Sequence, residues 1–192
     1  MSHRAAPQIR EREVGSDGGD LPAALGPLLR RLYLSRGVTT ASDLDYRLSQ
    51  LPRPDALHDV NAGARRLADA IENAERILVV GDYDADGATS TALAVRSLKA
   101  MGAASVDYRV PNRFEFGYGL SPELVELARC DAPDLILTVD NGITAHAGVD
   151  AAAAAGIDVL VSDHHLPGES LPSAVAIVNP QVGSTDFEAR AL

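Results

Sequence analysis

The stretch that most constrains this chain is residues 77–90, where an apolar run stops abruptly at three aspartates. The run itself, 77–80, is typical of a buried strand. Alternate positions then hold Asp82, Asp84 and Asp86. Carboxylates spaced so closely repel one another unless positive charge lies among them, and hard divalent cations such as Mg²⁺ and Mn²⁺ prefer oxygen ligands. The stretch therefore predicts half of a metal site.

Length, composition and charge narrow the class of protein. The chain has 192 residues, 46% of them hydrophobic, which suffices for one ordinary domain with a small appendage. A single cysteine excludes a disulfide framework, and the N-terminus has no apolar leader, so we expect a cytoplasmic setting. The net charge of -10 argues against a simple nucleic-acid binder, because Lys and Arg usually hold the phosphates. The net charge describes the whole surface, however, and does not give the charge of a single cleft.

The chain divides into three predicted parts. Residues 1–20 are polar and rich in turn formers, which favours a disordered tail. Residues 21–58 have leucines at helical spacing and predict a small helical leader, with a second short helix after Thr40 and a stiff proline-containing connector at its end. Residues 59–192 alternate between strand and helix patterns and predict the main domain.

In the main domain, five apolar runs of strand length alternate with helical patterns. A helical pattern precedes the first strand, and others cover 87–101, the segment that opens at Ser121 and Pro122, and the alanine run 151–155. The predicted strands are 76–81, 106–110, 135–139, 159–162 and 175–178. Such alternation predicts an α/β fold with a doubly wound, mainly parallel five-stranded sheet and flanking helices.

Unusual polar clusters follow each of these strands, at 82–86, 112–113, 140–141, 163–165 and 179. In an open α/β sheet such positions gather along one edge, where ligands bind. Two octahedral cations could share the acids and one imidazole, and such a pair promotes in-line displacement at phosphorus. The pattern therefore indicates phosphoester hydrolysis. The candidate ligands are Asp84, Asp86, Asp140, Asp163 and His164.

Two further residues of these clusters could contact the substrate directly and not through a cation. Arg113 can hold a phosphate by a bidentate contact, and His165 can bind a phosphoryl oxygen or protonate the leaving group. Other interpretations stay open at this stage. Asp82 either binds a cation or braces the following loop, and Arg113 is otherwise a surface cation. Aromatic side chains of the glycine-rich loop after the second strand either stack on bases or pack against the core; they are Phe114, Phe116 and Tyr118.

Five segments of the chain resemble the motifs of the DHH phosphoesterases, in the order and spacing of that family. They are GDYDADGATS (81–90), VPNR (110–113), FGYGL (116–120), TVDNGI (138–143) and SDHHLPG (162–168). The leader segment 35–39 also resembles that of one branch of the family, the bacterial single-strand-specific 5′→3′ DNA exonucleases. The resemblance extends from about residue 25 to the end of the chain.

The resemblance implies a centre with two Mn²⁺ or Mg²⁺ ions. The family's metal ligands correspond to Asp84, Asp86, Asp140 and His164, while Asp82 and Asp163 are ligands or their immediate partners. His165 corresponds to a residue at the scissile phosphate. The second motif implies a phosphate contact by Arg113 next to Asn112.

The resemblance also implies an activity: release of 5′-mononucleotides from single-stranded DNA in repair and recombination, alongside a single-strand-binding protein or a repair helicase. Members of this branch continue into a glycine-rich stretch, a further metal-binding acid, a DHHA1 domain and an OB-like domain. None of these follows residue 192. We therefore expect a truncated form or a solitary catalytic half, and whether its metal site is complete stays open.

Two other functions are compatible with these motifs. One is a phosphoesterase that acts on small substrates, such as short oligonucleotides, cyclic dinucleotides or pyrophosphate. The other is a non-catalytic DNA-binding scaffold that has kept the fold, although intact acids at the strand ends argue against it. A nucleotide-driven motor or a dehydrogenase is disfavoured, because the sequence has neither a P-loop nor a dinucleotide fingerprint.

Overall fold

A computed structural model describes residues 10, 14, 19–51, 53–112 and 114–183 of the chain. Most of the predicted disordered tail and the candidate Arg113 lie outside these ranges. The chain forms two compact units, Met1–Leu51 and Pro52–Leu192. The predicted end of the leader at residue 58 stays a prediction.

The described residues of the first unit contain little regular structure. They form one α-helix, α1 (Pro27–Leu34), and two 3₁₀ turns, Ser42–Leu44 and Leu48–Gln50. The short helix predicted after Thr40 takes the form of these two 3₁₀ turns and not of an α-helix. Asp43 accepts hydrogen bonds from the backbone N–H groups of Thr39 and Thr40, and Asp45 adopts an extended conformation that ends the first turn. Short polar side chains that bond to nearby backbone in this way compete with helix formation.

The second unit alternates helices and strands. Its elements are α2 (Val60–Glu72), β1 (Arg76–Val80), α3 (Ala85–Ala100), β2 (Ser105–Arg109), α4 (Pro122–Ala128), β3 (Leu135–Val139), α5 (His146–Ala154), β4 (Asp158–Ser162) and β5 (Ala176–Val178), with 3₁₀ turns at Pro54–Ala56 and Arg129–Asp131. All strand pairs are parallel, in the order β2-β1-β3-β4-β5. The predicted five-stranded α/β fold is confirmed.

Both faces of the sheet are covered, as its apolar central strands require. Every residue of β3 is buried, and so are the last four of β1. On one face Val79 belongs to a cluster with Leu98 of α3, and on the other Val80 belongs to a cluster with Leu124 of α4 and Val149 of α5. The strand ends are thereby fixed to a packed core.

The starts of α3 and α4 follow local sequence signals. Ser121 accepts a hydrogen bond from the backbone N–H of Leu124 at 3.2 Å, and Pro122 occupies the first turn of α4. This cap agrees with the sequence prediction. Asp84 caps α3 by accepting from the N–H of Gly87 at 2.9 Å. The same aspartate is a candidate metal ligand, so the start of α3 and the candidate site share one residue.

Arg66 of α2 makes the main ionic link at the end of the sheet opposite the candidate site. Its guanidinium donates to Asp158, at the start of β4, and to Glu75, both at 2.7 Å, and its side chain is only 18% exposed. Burial alone would lower the pKa of Arg66, but these two acids outweigh it and raise the pKa. Arg66 therefore stays charged and paired with both acids although its side chain is partly buried.

Replacing Arg66 by alanine should lower the free energy of unfolding by about 1–3 kcal/mol, because two half-buried carboxylates lose their partner. Chemical denaturation of the purified chain measures this change. The neighbouring Arg65 is exposed, so the Arg65→Ala variant should stay within about 0.5 kcal/mol of the unchanged chain. Equal losses in both variants would contradict the assigned role.

Among the described residues, no helix is long and apolar enough to cross a membrane.

Candidate metal centre

The carboxyl ends of three adjacent strands, β1, β3 and β4, bring the predicted acids and histidines to one edge of the sheet. Among the residues that the structure describes, two groups of side chains could each hold a cation, and within each group the ligand atoms lie within 4.8 Å of one another. The first group is Asp82, Asp84 and Asp140; the second is Asp140, His164 and His165. Asp140 belongs to both, as a bridging ligand would.

Asp140 is held in place by its own backbone. Its φ angle of 63° is left-handed, and its N–H donates to the carbonyl of Ser162 at 3.0 Å. Its side chain is almost fully buried, with Oδ1 at 2.9 Å from Nε2 of His164, while Oδ2 has no hydrogen-bond partner among the described residues. Burial, and then the charge of Asp84, raise the pKa of Asp140 against the opposing contact with His164.

Asp82 and Asp84 approach Asp140 from β1. The hydrogen bond from the Gly87 backbone N–H lowers the pKa of Asp84, so this carboxylate is charged at neutral pH. Asp82 is buried and accepts from the N–H of Tyr83 at 2.8 Å. The position of Asp82 is thus compatible with both roles that the sequence left open, a ligand and a brace for the loop.

Asp86 lies apart from both groups. It is exposed in the first turn of α3 and lines an open cleft of about 320 Å³ with Ser90, Asp140 and His164, among others. None of the described clusters with metal-ligand spacing includes it. Its predicted role as a ligand stays a prediction.

Asp163 is engaged by the loop that it starts. One oxygen accepts from the backbone N–H of Ile143 at 2.9 Å. The other accepts from the N–H groups of His164 and His165 and lies 2.8 Å from Nδ1 of His165. With both oxygens occupied, this arrangement favours a bracing role over direct ligation.

The contact with Asp163 also sets the charge of His165. Burial of the ring opposes protonation, but the hydrogen bond to Asp163 and the nearby charges of Asp163, Asp140 and Asp82 outweigh it and raise the pKa of His165. Tyr118 packs edge-on against the ring, with centroids 5.9 Å apart. His165 is therefore fixed in orientation and biased towards its protonated form.

The loop after β2 contacts the site through Tyr118. Asn112 is exposed, and its Oδ1 accepts from the N–H of Phe114 at 3.1 Å, so it shapes the loop locally. Arg113 lies outside the described residues. The hydroxyl of Tyr118 donates to the backbone carbonyl of Asp140 at 3.0 Å, which ties this loop to the end of β3. The sequence predicted base stacking or packing for Tyr118, but not this hydrogen bond.

Two buried asparagines of the site have roles that the sequence did not reveal. Asn141 donates to the carbonyls of Val80 and Val139, and Asn179 donates to the carbonyl of His165 at 3.0 Å. Both are fully buried. The available signal was position: Asn179 directly follows β5 and Asn141 is the second residue after β3, where a small polar side chain can bond to the backbone of the strand end.

The residues present fit a hard divalent cation. An almost fully buried carboxylate with an unpaired oxygen, a second acid beside it and an imidazole within hydrogen-bond distance form a set of oxygen and nitrogen donors. Such crowding of negative charge is unfavourable unless a cation offsets it. Burial first, and the charge of Asp84 second, raise the pKa of Asp140, which agrees with this cost.

Proteins of similar sequence and structure are single-stranded-DNA-specific exonucleases. The RecJ exonuclease of Escherichia coli K12 is 51% identical over 185 residues, which are 96% of this chain and 32% of the relative. A crystal structure of exonuclease RecJ bound to manganese has 42% identity and a TM-score of 0.63, over 72% of this chain and 34% of that chain. The Mn²⁺ complex of RecJ from Thermus thermophilus has 37% identity and the same TM-score, 0.63, over 86% of this chain and 23% of that chain.

This chain spans about a third of the length of the curated relatives that it matches. The family match is confined to the α/β unit: residues 76–187 match the DHH family, N-terminal domain. That segment includes every described acid and histidine of the two ligand groups, and it makes up more than half of the 192 residues. The chain therefore belongs to the DHH family.

Proposed function

We propose that this chain is the catalytic core of a cation-dependent phosphodiesterase that removes mononucleotides from the 5′ end of single-stranded DNA. The observation that supports it most is Asp140, a buried carboxylate shared by two ligand groups at one edge of the sheet. The single-strand preference is supported by the similarity to single-stranded-DNA-specific exonucleases. The 5′ polarity is supported only by the resemblance of the sequence motifs to the 5′→3′ branch of the family.

Two ions, Mn²⁺ or Mg²⁺, fit the two ligand groups. Asp82 and Asp84 would hold one, His164 the other, and Asp140 both. When bound, the pair would activate water and stabilise the charge that develops on the attacking and leaving oxygens. The manganese in two RecJ structures supports this choice of metal. Asp86 remains a candidate ligand from the far wall of the cleft.

His165 would contact the scissile phosphate. Its Nδ1 is engaged by Asp163, so a proton on Nε2 is the one available to substrate. A raised pKa keeps that proton in place near neutral pH, as a group that protonates a leaving oxygen or binds a phosphoryl oxygen requires. Arg113 and Asn112, in the loop after β2, would hold the neighbouring phosphate.

Exposed aromatic side chains of the same loop could hold the bases. Phe114 is 92% exposed and Tyr118 is 48% exposed beside His165. Stacking on aromatic rings is tolerant of sequence and contributes about 1–3 kcal/mol per base. Single-stranded DNA is therefore the substrate that we propose, and a single-strand-binding protein or repair helicase would act on the same DNA.

Replacing Asp84 by alanine should abolish Mn²⁺-dependent release of mononucleotides from a 5′-labelled single strand, because one cation loses a charged ligand. The Asp107→Ala variant removes an exposed acid of β2 outside the site and should keep the activity of the unchanged chain. Activity that survives in the Asp84→Ala variant would contradict the site.

A second function, hydrolysis of short oligonucleotides, is supported by the net charge of -10, which disfavours the binding of a long polyanion. A phosphoesterase for short oligonucleotides would use the same ligands. Cleavage of a dinucleotide in preference to a long single strand would favour it. Titration with Mn²⁺ by calorimetry separates both enzymes from a non-catalytic scaffold, since a scaffold would show no binding.

A further inference from the structure

Asn141 lies where the central strands of the sheet part. β1 and β3 pair through Val80 and Thr138, and beyond this point each turns to its other neighbour. The N–H of Gly81 donates to the carbonyl of Arg109, the last residue of β2, and the N–H of Asp140 donates to the carbonyl of Ser162, the last residue of β4, both at 3.0 Å. The last carbonyls of β1 and β3 are left facing the gap.

One side chain fills that gap. Nδ2 of Asn141 donates to the carbonyl of Val80 at 3.0 Å and to that of Val139 at 2.9 Å, which uses both protons of the amide. The opposite orientation of the amide would place its oxygen against two carbonyl oxygens, so the chemistry fixes the assignment. A single fully buried nitrogen therefore joins the ends of both strands.

These two strand ends bear the acids of the first ligand group. Asp82 follows Val80 by two residues, and Asp140 lies between Val139 and Asn141 itself. A change in the separation of the strand ends changes the separation of the acids. We propose that Asn141 is a positioning residue that sets the spacing of the carboxylates on β1 and β3, and hence of the two cation sites; this rests on the proposed function.

Other side chains could not do the same. Aspartate has the same shape but no N–H, and would set a carboxylate against two carbonyl oxygens. Glutamine is one methylene longer, so its amide nitrogen would be displaced from the position between the two carbonyls. Alanine leaves both carbonyls without this donor. Only asparagine satisfies the gap in this geometry.

The test is Mn²⁺ binding to the full 192-residue chain, by calorimetry and by electron paramagnetic resonance, which detects coupling between neighbouring Mn²⁺ ions. The Asn141→Ala variant should bind Mn²⁺ about 10-fold or more weakly and lose the coupled signal, as outer partners of metal ligands do when replaced. The control is Thr138→Val on β3, whose buried hydroxyl has no partner among the described residues. It should keep affinity and coupling.

Affinity and coupling in Asn141→Ala equal to those of the unchanged chain would overturn the proposal, while the proposed function would stand. No Mn²⁺ binding by the unchanged chain would overturn both. If Asn141→Ala does not fold, the unchanged chain provides the test. Nuclear magnetic resonance then measures how fast the side-chain amide protons of Asn141 exchange with solvent. Slow exchange with a shift on adding Mg²⁺ would support the proposal, and exchange as fast as that of exposed Asn112 would overturn it.

Discussion

Replacing Asp140 by asparagine should stabilise the metal-free chain and abolish its response to Mn²⁺. The carboxylate is almost fully buried, one of its oxygens has no partner among the described residues, and Asp84 repels it. Asparagine removes the charge but keeps an oxygen for the contact with His164. We expect a gain of about 1–3 kcal/mol in the free energy of unfolding, because the uncharged amide costs less to bury than the carboxylate and is not repelled by Asp84.

The gain should depend on pH. The pKa of Asp140 is raised in the folded chain, so this group favours folding at low pH and ceases to do so as pH rises through its folded pKa. The difference between Asp140→Asn and the unchanged chain should thus be largest at neutral pH and shrink towards about pH 4, as the carboxyl takes up its proton. Denaturant unfolding in the presence of a chelator measures it.

Addition of Mn²⁺ should reverse the order of stability. A ligand of the folded state stabilises it by mass action, and Asp140→Asn should bind Mn²⁺ about 100-fold more weakly or worse. The unchanged chain should then become the more stable of the two and the only active one. The exposed Asp107→Asn variant is the control and should follow the unchanged chain in both conditions. If Asp140→Asn is less stable than the unchanged chain without metal, the assigned cost of the buried charge at Asp140 is contradicted.

The sequence predicted the fold and the edge of the site because both depend on strand geometry. Apolar runs of strand length identify parallel strands, and the carboxyl ends of parallel strands meet at one edge. The strand pattern alone therefore assigns Asp84, Asp140 and His164 to the same edge. The observed ends of the elements differ from the predicted ones by one or two residues. For example, α3 starts at Ala85 and not at 87.

The division of roles among these residues could not be predicted in the same way. Asp163 and Asp140 both follow apolar strands, yet Asp163 is occupied by backbone N–H groups while Asp140 keeps an oxygen without a partner among the described residues. The difference depends on loop conformation, including the left-handed backbone at Asp140. Contacts between distant segments decide the rest, such as Tyr118 with Asp140 and Asn141 with Val80, which no local pattern encodes.

Replacing Gly87 by alanine should damage both the fold and the site. Gly87 lies in the first turn of α3, against the loop that bears Asp82 and Asp84, and a Cβ there would lie 2.6 Å from Cα of Asp82 and overlap its carbonyl group. These are backbone atoms, which cannot rotate aside. The start of α3 or the loop must move, and the candidate ligands move with it.

We expect Gly87→Ala to lose about 1–3 kcal/mol of unfolding free energy, the usual cost of overpacking, although alanine favours helix by up to about 1 kcal/mol. Its affinity for Mn²⁺ should fall about 10-fold, because the Asp84 cap and the loop shift together. Gly168→Ala is a matched control in the loop after β4, where a Cβ would meet nothing closer than the Ser170 carbonyl oxygen at 3.9 Å. Denaturation and calorimetry on both variants decide: equal behaviour would mean that the contact between α3 and the aspartate loop does not hold the site together.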